Sequence, residues 1–225
     1  MLKTIIAAST FGLCLAAGSF AIAQTGQSKA LPPDIDPESL SRLPALTRAD
    51  LDAEGQAIYD RIIGDDPPPK TGPRAVTLYS PKVAAAFADL NDFLRYNGDL
   101  SPRHTEVAIL VAAWEIEQQY EWSAHEPAAL RFGAPQAVVD TIKYDRDPVG
   151  LSREETLIIN FGRQLMREHK LDSELFAEAV EVFGEKGTVE LATVMGDYVM
   201  AGIVLTAIDQ HLPADRPALL PPRSR

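Results

Sequence analysis

Two consecutive helices are predicted by residues 100–135, LSPRHTEVAILVAAWEIEQQYEWSAHEPAALRFGAP. Ser101 and Pro102 are a typical helix opening, an N-cap residue followed by proline in the first turn. Residues 107–114, VAILVAAW, would be apolar on every side of a helix, so this helix should be buried on most sides. The second helix is expected from about 120 to 132, just before a glycine.

The rest of the chain has the same helical pattern. No stretch alternates between polar and apolar residues, and β-branched residues are not clustered, so no strand is predicted. The sequence therefore predicts an all-α, single-domain helical bundle. The further helices are expected from Thr47 to about Ile63, from Ser80 to Asn97, from Pro135 to about Tyr144, from Ser152 onward, from Asp172 to Phe183 and from about Thr188 to Gln210.

The N-terminus has the features of a secretory signal peptide. A short start with Lys3 is followed by an apolar run and by Ala21-Ile22-Ala23, which predicts cleavage after Ala23 and a periplasmic or secreted protein. A retained membrane anchor is the alternative, since spanning a bilayer takes about 20 apolar residues.

The expected domain organisation follows from composition. Residues 24–45 are polar and rich in proline, which is typical of a linker or of an arm on the surface or on a neighbouring subunit. The expected segments are a signal peptide at 1–23, this linker or arm at 24–45, a helical domain at 46–213 and a C-terminal tail at 214–225.

Cysteine content and charge exclude several functions. Cys14 is the only cysteine, so a chain cleaved after Ala23 would have neither disulfides nor thiol chemistry. The net charge is −11, and no basic run interrupts it. Nucleic acid and anionic membranes are poor partners for such a surface. We therefore expect a small-molecule substrate, no nucleic acid, and no membrane contact after signal cleavage.

Three residues could carry acid/base chemistry. Glu121 and His125 are four residues apart and share one face of a helix. Glu106 lies near the start of the most buried helix, where a carboxylate is costly unless it is paired. A Glu–His pair in a dry cleft can transfer protons near neutral pH. Aromatic residues near them in sequence would form the walls of a pocket for a small, partly apolar or aromatic acid: Trp114, Tyr120, Trp122 and Phe132.

Each of these residues also has a simpler interpretation. Glu106 would be favourable in the first turns of a helix because of the macrodipole, and Glu121 with His125 could be a surface ion pair. Glu106, Glu121 and His125 could also bind a metal, but the H-E-x-x-H pattern is absent, and no metal is predicted. Nor is there a G-x-S-x-G motif or a glycine-rich phosphate loop.

The quoted stretch resembles the core of the carboxymuconolactone decarboxylase family, which also contains the alkylhydroperoxidase-like proteins. The L-S-P-R opening, Glu106, an apolar run, E-W-x-x-H ending at His125, and Gly133 follow in the same order. The likeness extends from about Leu46 to Pro213. It implies an all-helical fold that commonly assembles as trimers or hexamers, so a homo-oligomer is expected.

This chain resembles one of the two branches of that family more than the other. The peroxidase branch uses a C-x-x-C pair followed by histidine, and the cysteine positions correspond here to Gln118 and Glu121. The resemblance therefore implies Glu106 and His125 as a proton relay, without peroxidase activity. The decarboxylase branch also lacks these cysteines and keeps E-W-x-x-H, which implies a lyase. Its members act in cytoplasmic aromatic catabolism, whereas this chain is predicted to be exported, so the resemblance does not fix their lactone as the substrate.

The sequence thus predicts a cofactor-free acid/base enzyme, a lyase (decarboxylase) or an isomerase, acting on a small organic acid, a lactone or an aromatic-derived compound. His125 would be the general base or acid, Glu106 would orient it, and Glu121 would complete the polar end of the site. A non-catalytic periplasmic binding or assembly protein on the same scaffold is the alternative, since a fold does not fix a function.

Overall fold

A computed structural model describes residues 31–223. Within that range the structure has eight α-helices and no strand, apart from one isolated bridge between Asp36 and Ser41. This confirms the all-α prediction, whereas the predicted signal peptide lies outside the described residues. The helices are α1 (Ala53–Ile63), α2 (Pro73–Val76), α3 (Pro81–Tyr96), α4 (Pro102–Glu115), α5 (Gln119–Arg131), α6 (Gln136–Lys143), α7 (Arg153–Glu168) and α8 (Ser173–Ala207).

Helix α4 lies at the centre of the bundle, as its apolar sequence predicts. Every residue from Thr105 to Trp114 is buried, and α5, α7 and α8 pack around it. The Ser101 hydroxyl accepts a hydrogen bond from the backbone N–H of His104 and caps the helix. A helix covered on all sides can be apolar all round, because no face has to meet water.

Helix α8 contains the two helices that were predicted from about Asp172 and from about Thr188. A break separates them, because Gly184 has the non-helical angles φ 72° and ψ 171°. A positive φ of this kind is accessible to glycine at little cost. The second half of α8 then packs along α4, α3 and α5.

The segments that flank the helices are packed on the bundle. The backbone N–H of Arg42 donates to the carbonyl of Ile208 at 2.8 Å, which ties the segment before α1 to the end of α8. The chain after α8 crosses α5, where the backbone N–H of Leu219 donates to the Ser123 hydroxyl at 3.1 Å. These contacts fix both segments beside the helices that carry the candidate site.

The packing of α7 against α4 and α8 generates a prediction about Gly162. A β-carbon at this position would lie 2.5 Å from Val111 Cγ1 and 2.9 Å from Met195 Cε. Alanine usually stabilises a helix by up to about 1 kcal/mol relative to glycine, but overpacking of a core costs about 1–3 kcal/mol. Gly162→Ala is therefore expected to lower the free energy of unfolding, as measured by urea denaturation.

Glu168→Ala is the matched control, because Glu168 is exposed on the same helix. It should change the free energy of unfolding by less than about 0.5 kcal/mol. A Gly162→Ala protein as stable as the unchanged protein would contradict the close packing of α7 against α4.

Candidate active site

Three helices meet at the carboxylate of Glu106. This residue lies in α4 and is only 2% exposed. One carboxylate oxygen is 2.6 Å from Nδ1 of His125 in α5, and the other accepts a hydrogen bond of 2.9 Å from the guanidinium of Arg95 in α3. Both oxygens are therefore hydrogen-bonded, as a buried carboxylate requires.

These contacts determine which nitrogen of His125 carries a proton. Burial pushes the pKa of Glu106 upward, but the hydrogen bond and charge of His125, together with Arg95, outweigh it and lower this pKa. Glu106 is therefore a carboxylate, which can only accept hydrogen bonds, so Nδ1 of His125 donates. In the neutral imidazole this leaves Nε2 with a free lone pair, as a general base needs.

Glu121 lies on the other side of the imidazole ring. Its Oε2 atom is 3.5 Å from Nε2 of His125, and its Oε1 atom is buried without a hydrogen-bond partner. Burial raises the pKa of Glu121, and the nearby Asp197 adds to the effect, although the charges of His125 and Arg216 oppose it. A protonated Glu121 can donate a hydrogen bond, which Glu106 cannot do.

The three groups do not converge as metal ligands do. The carboxylates of Glu106 and Glu121 face opposite nitrogens of the His125 ring, so no single point lies within bonding distance of all three. Among residues 31–223 no group of three or more His, Cys, Asp or Glu side chains is arranged to hold a metal ion. The chemistry offered by this donor set is proton transfer.

A second layer behind His125 was not predicted from the sequence. The ring of Tyr198 packs edge-on against the imidazole, with centroids 4.8 Å apart. The Asn91 amide donates to Asp197 at 2.9 Å and to the Tyr198 hydroxyl at 3.4 Å. Burial raises the pKa of both Asp197 and Tyr198. The one usable sequence signal was Asp197, the only charged residue in the apolar run 191–208.

Trp114 and Tyr120, predicted as pocket walls, make their contacts elsewhere. The guanidinium of Arg223 lies 3.4 Å above the Trp114 ring, which lines a cavity formed with the C-terminal segment. The Tyr120 hydroxyl is 2.8 Å from the hydroxyl of Thr71. Neither ring contacts His125 in this structure.

Trp122 and Phe132 are also directed away from the imidazole. Trp122 is completely buried in the main core, and its indole N–H donates to Glu126. Phe132 lies just beyond α5 and is 41% exposed. The aromatic ring that packs edge-on against His125 is that of Tyr198, so the aromatic wall expected from the sequence neighbours stays a prediction.

Access to the site is restricted. The His125 side chain is 10% exposed. None of the five prominent cavities among the described residues is lined by Glu106, Glu121 or His125. Glu106, Glu121 and His125 are therefore largely shielded from solvent. Arg95, with 22% of its side chain exposed, is the most accessible group bonded to Glu106.

Comparison with known proteins supports the family indicated by the sequence. The model of the carboxymuconolactone decarboxylase family matches residues 81–157. The match covers less than half of the chain, but it includes Arg95, Glu106, Glu121 and His125. It confirms the resemblance that the E-W-x-x-H pattern indicates. No curated protein matches the sequence significantly.

Solved structures share the fold. The debrominase Bmp8 in complex with 2,3,4-tribromopyrrole is 16% identical, with a TM-score of 0.58 over 76% of this chain and 91% of that one. The alkylhydroperoxidase AhpD core of a peroxidase-related protein from Ralstonia eutropha JMP134 is 14% identical, with a TM-score of 0.62 over 78% and 94%. A peroxidase-related protein from Silicibacter sp. TM1040 is 17% identical, with a TM-score of 0.60 over 81% and 95%. At these identities the likeness establishes the fold.

The raised pKa of Glu121 predicts a pH-dependent gain of stability for Glu121→Gln. The folded protein holds this proton more tightly than the unfolded chain, so stability is lost as the pH rises from about 4 towards the raised value. The amide of glutamine does not titrate, so Glu121→Gln does not lose stability in this way. The melting temperature of Glu121→Gln should equal that of the unchanged protein near pH 4 and exceed it at pH 8, by roughly 2–4 °C for each kcal/mol.

Thermal unfolding followed by circular dichroism across this pH range measures the difference. Glu168→Gln, an exposed carboxyl on α7, should show no pH-dependent difference of this kind. A Glu121→Gln protein that melts below the unchanged protein at pH 8 would mean that the ionised carboxylate is stabilising.

Proposed function

We propose that this protein, whose residues 81–157 carry the carboxymuconolactone decarboxylase family pattern, is a cofactor-free acid/base enzyme of the lyase (decarboxylase) or isomerase type. The observation that carries the proposal is the 2.6 Å contact between Glu106 and His125, which lies in a buried site and leaves Nε2 opposite a second carboxyl group. A pair that served only stability would need the Glu106–His125 contact, but not the second carboxyl group opposite Nε2.

Each side chain has a distinct part in the proposed reaction. Nε2 of His125 removes a proton from a carbon next to a carbonyl group, or returns one to it. Glu106 keeps the imidazole oriented and stabilises the imidazolium that forms, as the carboxylate does in serine hydrolases. Protonated Glu121 donates a hydrogen bond to the substrate oxygen on which negative charge develops. General acid/base catalysis supplies about 10²–10⁴-fold, and orientation in a dry site supplies the rest.

The surroundings favour a small acidic or lactone substrate. The His125 side chain is only 10% exposed, which favours a small substrate over a bulky one. The positive charges of Arg95 and Arg216 both act on Glu121, and they would equally attract a substrate carboxylate or a lactone oxygen. With the predicted signal peptide, the reaction would take place in the periplasm or outside the cell.

A thiol peroxidase is disfavoured by the residues at the two cysteine positions. The amide of Gln118 donates to the Gly202 carbonyl at 3.0 Å and to the Thr206 hydroxyl at 2.9 Å, which ties α5 to α8. Glu121 occupies the other position. The only cysteine of the chain, Cys14, precedes the predicted cleavage site.

The alternative is a non-catalytic binding or assembly protein, and the closed site is the observation that favours it. Such a protein would keep the Glu106–His125 pair for stability alone. The two proposals predict different effects of removing the imidazole: an enzyme would lose turnover, whereas a binding protein has no turnover to lose.

Substitution of His125 by alanine tests the proposal. Lactones, aromatic acids and halogenated aromatic compounds would be screened with the purified protein, and product formation would be followed by chromatography. For a substrate found in this way, His125→Ala should lower kcat/KM by about 10²–10⁴-fold while the protein stays folded, as judged by circular dichroism.

His104→Ala is the matched control. His104 lies in α4, two residues before Glu106, but its ring packs edge-on against Phe183 with centroids 5.8 Å apart, so activity should be retained. Turnover that survives in a folded His125→Ala protein would contradict the acid/base proposal. Binding without turnover in the unchanged protein would favour the alternative.

A further inference from the structure

An apolar stripe runs along the exposed side of α8. Val189, Thr193, Gly196, Met200 and Ile203 follow at intervals of four and three residues, which places them on one face of a helix. Val189 is 66% exposed and Ile203 is 62% exposed. The stripe is therefore not part of the core of a single copy.

This face of α8 carries no charge beyond its N-terminal end, where Glu185 and Lys186 border Val189. Between residues 191 and 208 the only charged residue is Asp197, and it is buried. Charged side chains normally occupy exposed helix positions, and 24% of this chain is charged. Exposure to solvent alone does not explain a helix face over four turns without a charged residue.

Helix α3 continues the apolar surface. Val83, Ala86, Leu90 and Phe93 are exposed at intervals of three and four residues, and a cavity of about 490 Å³ joins Leu90 and Phe93 to Val189. We call the exposed stripes of α3 and α8 together the α3/α8 face. Its large side chains are apolar, so it would gain free energy by being covered. Glu185, Lys186 and Glu190 line the edge of the cavity.

The size of the α3/α8 face suits a protein interface. The six large apolar residues of the face are each 38–66% exposed, and an apolar patch of about 300–600 Å² on a monomer is often functional. A stable interface buries about 800 Å² on each partner, and the small and polar residues around these six supply the remainder.

Gly196 has no role within one copy. A β-carbon at this position would meet nothing within 4 Å, in contrast to the crowded Gly162. Glycine in a helix costs about 1 kcal/mol relative to alanine, so this position loses stability without any gain in packing. The close approach of another helix would account for it, because only glycine lets two backbones come together there.

We propose that the α3/α8 face binds a second copy of this chain across a twofold axis at Gly196. Val189 and Ile203 lie seven residues before and after Gly196. Two antiparallel α8 helices that cross at this glycine would place Val189 of each copy against Ile203 of the other, and Thr193 against Met200. The stripe is thus self-complementary, as an isologous interface must be, and its spacing is that of helices packed at about 20°. A hexamer with twofold axes contains such a contact, whereas a trimer alone does not.

A lipid bilayer fits this face less well. Helix α8 is long and apolar enough to span a membrane by length and composition, but 56% of its most apolar window is buried inside the protein. The exposed part is therefore one stripe, which matches a helix of a partner rather than the hydrocarbon that would surround a spanning helix.

Cysteine cross-linking tests the position of the twofold axis. Cys14 is the only cysteine, so Gly196→Cys in a chain with Cys14→Ser carries a single thiol. A disulfide needs Cα atoms about 4.4–6.8 Å apart, which is met at a twofold helix crossing. Mild oxidation should therefore give a covalent dimer on a non-reducing gel. Phe176→Cys, exposed on the first half of α8, should remain a monomer on the same gel.

Analytical ultracentrifugation tests whether the same face drives assembly. Gly196→Glu should raise the dissociation constant of the dimer by roughly 100-fold or more, because two like charges would meet at the axis, while Phe176→Glu should leave it unchanged. Both variants should keep the circular dichroism spectrum of the unchanged protein, since there is room for either side chain.

Three results would overturn the proposal. The first is an unchanged protein that is monomeric at all accessible concentrations, and the second is a Gly196→Glu protein that assembles as before. The third is a monomeric protein that binds phosphatidylcholine vesicles and loses this binding with Gly196→Glu, which would identify a lipid as the occupant. None of these outcomes depends on catalytic activity, so the acid/base proposal is tested separately.

Discussion

The buried carboxylate of Glu106 is the constraint on which the site depends. It lies in the central helix α4, which is buried from Thr105 to Trp114, where an uncompensated charge is costly. Arg95 and His125 compensate it through its two oxygens, and this fixes α3 and α5 relative to α4. Apolar contacts alone would bury these helices but would fix their rotation and translation less strictly. Removing one partner of such a pair costs about 3–5 kcal/mol, so stability and chemistry depend on the same contact.

The site is suited to acid/base chemistry because its two carboxyl groups lie in different surroundings. Glu106 accepts hydrogen bonds from Arg95 and His125 and has a lowered pKa, whereas Glu121 has an unpartnered oxygen and a pKa raised by burial. Opposite shifts of this kind separate an ionised group from a proton-bearing one at the same pH. The imidazole of His125 lies between them, so its two nitrogens have different partners and different functions.

The sequence predicted the parts of the structure that depend on local chemistry. Ser101 and Ser152 cap the helices at the expected positions, and Glu121 and His125 share a face because four residues make about one helical turn. The sequence identified Glu106 as a site residue because a buried carboxylate needs a partner. Arg95 lies on the preceding helix and Tyr198 on the last one, and no local pattern predicts that either side chain reaches the site. Trp122 was predicted at the wall of the pocket, and the structure places it in the main core, where its indole N–H donates to Glu126.

Helix α8 links the catalytic proposal to the proposed interface. Asp197 and Tyr198 lie on its buried side, where Asn91 of α3 holds both of them and Tyr198 supports the His125 ring. Gly196, the preceding residue, lies on the exposed side. A partner seated at Gly196 would press α8 against α3 and restrict the motion of Tyr198. Since the site is largely shielded from solvent, access to it and the assembly of the protein would depend on the same two helices.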